Sequence, residues 1–247
     1  MTLWKLEWLR IWRTQRWLIL GSVYGVFGLL GPLTVRYLPE IIDRFGGTEV
    51  VGELPPMMPA DGITQYVSSA QQFGLLAVAF VGAAALAFDA HCEMAIFLRT
   101  RASVRDIFIP RLGVNTVAAI AGFVFGVTLA YVGTGLLLEW LDLPAVVVGS
   151  VLQSLYLIFA VVVIGVVSSV VRSVAGTALI SLGVLIIVGV ASLIPPLAPW
   201  LPSDLLGALD ALIRGSEFEY WRSIVVTAAS IVILVPVSIA RLERRET

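Results

Sequence analysis

The sequence predicts an all-α polytopic membrane protein with six transmembrane helices, an N-terminal interfacial amphipathic helix and a short outer-leaflet helix before the last span. Three observations predict it. Of 247 residues, 59% are apolar and 13% charged, against roughly 45–50% and about a quarter in a soluble domain, and the mean hydropathy is +0.97. Six segments reach the length of about 20 apolar residues that a helix needs to cross a hydrocarbon core of roughly 30 Å. The basic residues gather on one side of those segments. No polar stretch is long enough to fold a separate core, so residues 1–247 read as a single transmembrane domain.

The N-terminal residues 1–16 interleave tryptophans with charges and show no small-residue cleavage site before a long apolar run, unlike a cleaved signal peptide. Trp4, Trp8, Ile11 and Trp12 recur at helical spacing on one face, while Lys5, Arg13 and Arg16 can reach lipid headgroups, which is the pattern of an interfacial helix. The spans are expected at about residues 17–38, 73–90, 112–138, 145–171, 174–194 and 224–240. The stretch "ITQYVSSAQQ" before the second span can prolong that helix outside the lipid. Arg172 divides the fourth span from the fifth, Pro195 and Pro196 stop the fifth, and Pro236 predicts a kink of the kind that lipid-buried helices tolerate. The loop at 39–62 is rich in Pro, Gly and acid, so irregular structure is expected there. Residues 203–215 predict a short helix at the outer leaflet, with Ser203 as N-cap, Leu205, Leu206, Leu209, Leu212 and Ile213 as its apolar set, and Gly215 as its stop.

Placing the N-terminus in the cytoplasm puts 12 of the 16 basic residues on the cytoplasmic side and leaves Arg36, Arg44, Arg214 and Arg222 outside. The expected location is therefore the plasma membrane, with both termini cytoplasmic. Gly21 and Gly25, continued by Gly28 and Gly31, and Gly122 and Gly126 form small-residue tracks that let helices approach closely. They serve packing within one chain or between two. Ser150, Ser154, Ser168 and Ser169 read as small residues whose hydroxyls bond within or between helices.

The segment "FDAHCEMAIFLRTRASVRDIFIPRL", residues 88–112, holds the chain's one His and one Cys among clustered charges. At about 100° per residue, His91 points away from both Asp89 and Glu93, so one helix cannot turn all three to a metal ion. The H-E-x-x-H pattern is absent, and no second histidine completes a site. A Ser–His dyad would have only His91 as base, and paired intramembrane aspartates are missing, so no catalytic site is expected in this chain. Asp89 reads as a residue at the boundary of its span or as a charge facing the bundle interior. A single cysteine cannot form an intrachain disulfide. The sole lysine is Lys5, outside any G-x-x-x-x-G-K-[ST] loop, so this polypeptide does not bind ATP by that route.

The order of these features resembles the type-2 ABC transporter permeases. The likeness covers nearly the whole chain. It rests on the basic, Trp-rich N-terminal helix, on "GPLTVRYLPEI" at the end of the first span, and on "LAFDAHCEMAIFLRTRASVRDIFIPRLGVN" after the second. It rests also on the compact group of spans three to five and on "PSDLLGALDALIRG" before the last. The resemblance implies a permease that pairs with itself or with a similar subunit and engages two copies of a cytoplasmic ABC ATPase, which would hold ATP and Mg. This chain itself would bind no cofactor and no nucleic acid. It implies a coupling segment at residues 97–110, where Phe97, Val104, Ile107 and Phe108 would supply apolar contact and Arg99, Arg101 and Arg105 charge. It further implies that Trp4, Trp8, Trp12, Arg13 and Arg16 lie along membrane lipid beside the ATPase, and that Leu205, Leu206, Leu209 and Leu212 belong to an outer gate. The loop at 39–62 is too short for the large extracellular domain that some relatives carry. Alternative readings are an ion-gradient-driven secondary transporter, which would need buried titratable groups near the midplane, and a non-transporting membrane assembly factor.

Overall fold

The computed structural model describes residues 3–45, 58–87 and 103–244. Among the described residues there are helices and turns but no strand, and six helices are long and apolar enough to cross a membrane. This is a membrane-spanning protein of the all-α class.

Side-chain caps set where three of the spans begin. The Ser103 hydroxyl accepts the Asp106 backbone N–H at 3.2 Å and donates to the Asp106 carboxylate at 2.6 Å. The third span, Val104–Leu137, therefore starts at Val104 rather than at 112. Its 34 residues rise roughly 51 Å, more than one crossing of a hydrocarbon core of about 30 Å requires. Asp142 caps the fourth span, Leu143–Ser168, through the Ala145 N–H, and Ser173 caps the fifth, Val174–Ala191, through the Gly176 N–H. The hydroxyls of Ser150, Ser154, Ser168 and Ser169 all bond to carbonyls of their own helix.

The first span, Arg16–Phe45, runs through Pro32 and Pro39 and past its expected end at 38. The second departs furthest from expectation. It begins at Ala60, not 73, as Ala60–Ser69, passes through a π-helical turn at Ala70–Gly74, and ends as Leu75–Leu86. Three polar side chains of this stretch find partners: Thr64 Oγ1 donates to the Ala60 carbonyl, Tyr66 Oη to that of Phe123 and Gln71 Nε2 to that of Leu206. Its apolar side, with Ile63, Tyr66 and Val67, is buried. "ITQYVSSAQQ" thus does prolong the helix of the second span and packs within the bundle, while residues 46–57 of the expected irregular loop lie outside the described residues.

Small residues bring the first and third spans together. Gly28 packs directly on the Gly126 backbone, and a β-carbon on Gly126 would lie 2.6 Å from the Tyr24 carbonyl oxygen. A β-carbon on Gly31 would lie 2.7 Å from the Gly62 carbonyl, which joins the first span to the second. Most of the glycine track serves packing inside one chain. Gly21 is different, because no other atom lies within 4 Å of where its β-carbon would be.

After the fifth span come two short 3₁₀ turns, Ala198–Trp200 and Pro202–Leu206, and a helix at Ala208–Ile213. Ser203 does not cap a helix; its hydroxyl donates to the Val188 carbonyl at 3.0 Å and ties the insert to the end of the fifth span. Gly215 does stop the helix, at φ +84°, where a left-handed residue closes the last turn. Leu205 and Leu209 are fully buried, and Leu206 and Leu212 partly so. A β-carbon on Gly149 would lie 2.5 Å from Leu209 Cα. The insert therefore sits on the fourth span as a cap and does not lie loose in a leaflet. The sixth span, Trp221–Arg244, is one helix through Pro236. Residues such as Ile187 (69% exposed) and Val232 (72%) face outward from the fifth and sixth spans, as a lipid-contacting surface requires.

Candidate functional site at the basic end of the bundle

The N-terminal helix, Leu3–Arg13, turns into the first span at Gln15, whose φ of 54° is the left-handed conformation. One face of this helix is turned inward by Glu7 and Ile11, four residues apart and so one above the other. Ile11 is buried, whereas Trp4, Trp8 and Trp12 stay between 40% and 58% exposed. Ile11 lines one groove with Trp8 and Trp12, at the buried edge of the tryptophan face. Glu7 reaches Arg111 on the third span, with Nε to Oε1 at 2.7 Å and side chains only 7% and 14% exposed, and Arg10 lies 3.7 Å from the same oxygen. The Arg111 carbonyl accepts from Asn115 Nδ2. Arg111 is therefore an internal clasp, not a surface arginine of the loop.

Arg16 likewise turns inward, and its guanidinium donates to the Ala84 carbonyl near the end of the second span at 3.2 Å. It does not reach outward to lipid headgroups as its position in the sequence suggested. Arg13 and Lys5 do remain exposed. Trp4 covers Gly113, where a β-carbon would lie 2.8 Å from the indole ring. These contacts fasten the N-terminal helix to the base of the third span, and the start of the first span to the second.

Of the proposed coupling residues, Phe97, Arg99 and Arg101 lie outside the described residues, together with Asp89, His91, Cys92 and Glu93. Val104 is partly buried, and Arg105 is exposed in the first turn of the third span. Ile107 and Phe108 are not surface contacts: they are 4% and 1% exposed, and the Phe108 ring packs on Gly165 of the fourth span, 3.0 Å from where a β-carbon would stand. Helical geometry accounts for this. Ile107 points about 200° from Arg105, and Phe108 about 200° from Asp106, so the first turns cannot face all four outward. Beside the exposed side is a groove of about 330 Å³ lined by Leu3, Trp4, Arg105, Asp106, Ile109 and Pro110. Leu3, Glu7 and Ile109 are members of this end that the sequence reading missed. The one available signal was an acid, Glu7, set among the cations of a basic helix.

At the opposite end a second polar cluster fastens the capping insert. Arg214 donates to Asp61 at 2.8 Å, to Asp210 at 2.9 Å and to the Thr64 hydroxyl at 2.9 Å. Hydrogen bonds to Asp61 and then Asp210 hold the Arg214 guanidinium above its ordinary pKa. Burial, aided by Asp204, pushes the Tyr220 phenol up. Ser223 of the sixth span reaches Asp204 at 2.7 Å. The insert that carries Leu205, Leu206, Leu209 and Leu212 is thus fastened against the fourth span by contacts from the second and sixth.

No protein-family model matches the chain, and no solved structure matches it. The chain is 27% identical over 254 aligned positions to the uncharacterized transmembrane protein YxlG of Bacillus subtilis (strain 168), and the alignment covers 100% of this chain and 98% of that one.

Proposed function

We propose that this chain is the permease subunit of an ATP-driven ABC exporter, acting in the plasma membrane with both termini in the cytoplasm. The observation that carries the reading is the build of the basic end. A Trp-rich helix is clasped by Glu7–Arg111 to the base of a third span longer than one membrane crossing requires, leaving Arg105 and the groove beside Trp4 exposed. That is a surface suited to gripping a cytoplasmic partner. The outer cap formed between the fifth and sixth spans supports the same reading, because it supplies a closed outer gate.

In this mechanism two copies of the chain, or this chain and a similar permease, engage two ABC ATPases that hold ATP and Mg. ATP binding draws the ATPases together and displaces the coupling segment around 97–110. Arg99, Arg101 and Arg105 grip the partner, while Ile107 and Phe108, anchored in the bundle, carry the displacement from the third span into the fourth through Gly165. The outer cap then yields when the Arg214 contacts break. The apolar walls suit a hydrophobic or amphipathic cargo such as a drug, a lipid-linked molecule or a membrane-active peptide.

The test is charge reversal. The triple variant R99E/R101E/R105E is expected to insert in the membrane normally and to lose its ATPase in co-purification. Retention of the ATPase by that variant would remove this segment from the mechanism.

A further inference from the structure

A groove of about 640 Å³ runs between the first and third spans. Gly21 lies open at its floor, and Trp8, Trp12 and Phe125, whose ring covers Gly25, are among its walls. No charged residue lines it, and Ser22 is its one hydroxyl side chain. The open space over Gly21 shows that the hollow is not filled by neighbouring side chains of this chain. Along the first span the lining extends from Leu18 to Leu29, roughly 16 Å at the rise of a helix. It is a long, apolar slot that opens toward lipid.

One end of the slot differs from the rest. There the N-terminal helix crosses it with Trp8 and Trp12, and the Trp12 and Trp17 rings meet with centroids 4.7 Å apart. Tryptophans collect at the level of lipid headgroups because one side of the ring is apolar and the other wet. Lys5 stands one turn before Trp8 on the same helix, and Arg13 directly follows Trp12. Both are exposed and neither forms an ion pair among the described residues. An apolar slot that ends in tryptophans and free cations is complementary to a molecule with a hydrocarbon tail and an anionic head.

We infer that this groove is a binding site for an anionic phospholipid, with one acyl chain lying over Gly21 and the phosphate held by Lys5 and Arg13. The inference is independent of the proposed transport function. The lipid would brace the junction at Gln15 and so hold the N-terminal helix in place across the base.

The test uses the full chain, purified and stripped of lipid. Thermal unfolding is followed while phosphatidylglycerol, phosphatidylcholine with the same acyl chains, or glycerol phosphate alone is added. Phosphatidylglycerol is expected to bind at least tenfold more tightly than phosphatidylcholine, and glycerol phosphate to give no shift. Gly21→Leu fills the slot without a clash and is expected to abolish the phosphatidylglycerol shift. K5Q/R13Q changes only exposed side chains and is expected to remove the preference for phosphatidylglycerol while leaving weak binding of both lipids. Equal response to the two lipids, an equal shift from glycerol phosphate, or unchanged binding by K5Q/R13Q would overturn the site. So would a disulfide-linked dimer from Ser22→Cys in a Cys92→Ser background, which would show a second copy lying in the groove.

Discussion

Gly126 and Gly21 belong to the same small-residue pattern, yet alanine is expected to act in opposite directions at the two positions. A β-carbon on Gly126 would lie 2.6 Å from both the Tyr24 carbonyl oxygen and the Tyr66 hydroxyl oxygen. The first of these is backbone and cannot swing aside, and the second is already committed to the Phe123 carbonyl at 2.9 Å. The first span must therefore move by most of an ångström, loosening the Gly28 contact as well. Overpacking of this kind costs about 1–3 kcal/mol, with the upper end expected where backbone is met, and the better helix propensity of alanine offsets about 1 kcal/mol. The net loss is about 2 kcal/mol, which at about 2–4 °C per kcal/mol lowers Tm by roughly 4–8 °C. Gly21→Ala meets no atom within 4 Å and keeps the propensity gain, so its Tm should rise by up to about 4 °C. Thermal unfolding of both variants in one detergent checks the pair. Equal shifts in the same direction would refute the claim that these two spans are held at glycine-limited distance.

Arg111→Met leaves the Glu7 carboxylate half a clasp in a nearly closed site, and a loss of about 3–5 kcal/mol is expected; Glu7→Leu/Arg111→Met should recover most of it, as a double-mutant cycle in thermal unfolding will show. Arg214→Ala removes two partly exposed ion pairs worth together about 1 kcal/mol. A cysteine placed at Leu209 in a Cys92→Ser background should then react with a maleimide roughly five times faster, because about 1.4 kcal/mol is tenfold. Arg214 stays charged at every accessible pH, since its pKa is raised from an already high value, so alkaline titration to pH 10 should not release the cap through this residue. Ser103→Ala loses the cap of the third span and about 1 kcal/mol, whereas Ser103→Asp should retain most of it in the same unfolding assay.

The spans were legible because hydropathy over about 20 residues reports burial in lipid directly. What a hydropathy window could not report was the pairing of polar groups across the chain. Thr64, Tyr66 and Gln71 read in sequence as a polar extension of the second helix, and they pack into the bundle because their donors find carbonyls at 60, 123 and 206. The Glu7–Arg111 clasp joins residues 104 positions apart, so no local pattern shows it. Arg16 was misplaced for the same reason, its partner being a backbone carbonyl at 84. The early start of the third span was readable, by contrast: Ser103 and Asp106 form the S-x-x-D signature of a capping box. Ile107 and Phe108 show the limit of composition, because large apolar residues beside arginines fit a partner-binding loop and an anchored helix turn equally well. Burial distinguishes them, and it anchors these two residues in the bundle.

The central claim is that this chain works only with an ATPase it does not contain. Its most direct test is native mass measurement of the complex isolated by a tag on the chromosomal copy, in mild detergent and without overexpression. The account predicts an assembly of two permease chains, either two copies of this 26.6 kDa chain or one with a similar subunit, together with two copies of a protein carrying a G-x-x-x-x-G-K-[ST] motif, with ATP hydrolysis in the same fraction. Isolation of this chain alone, or only with other copies of itself, would contradict it.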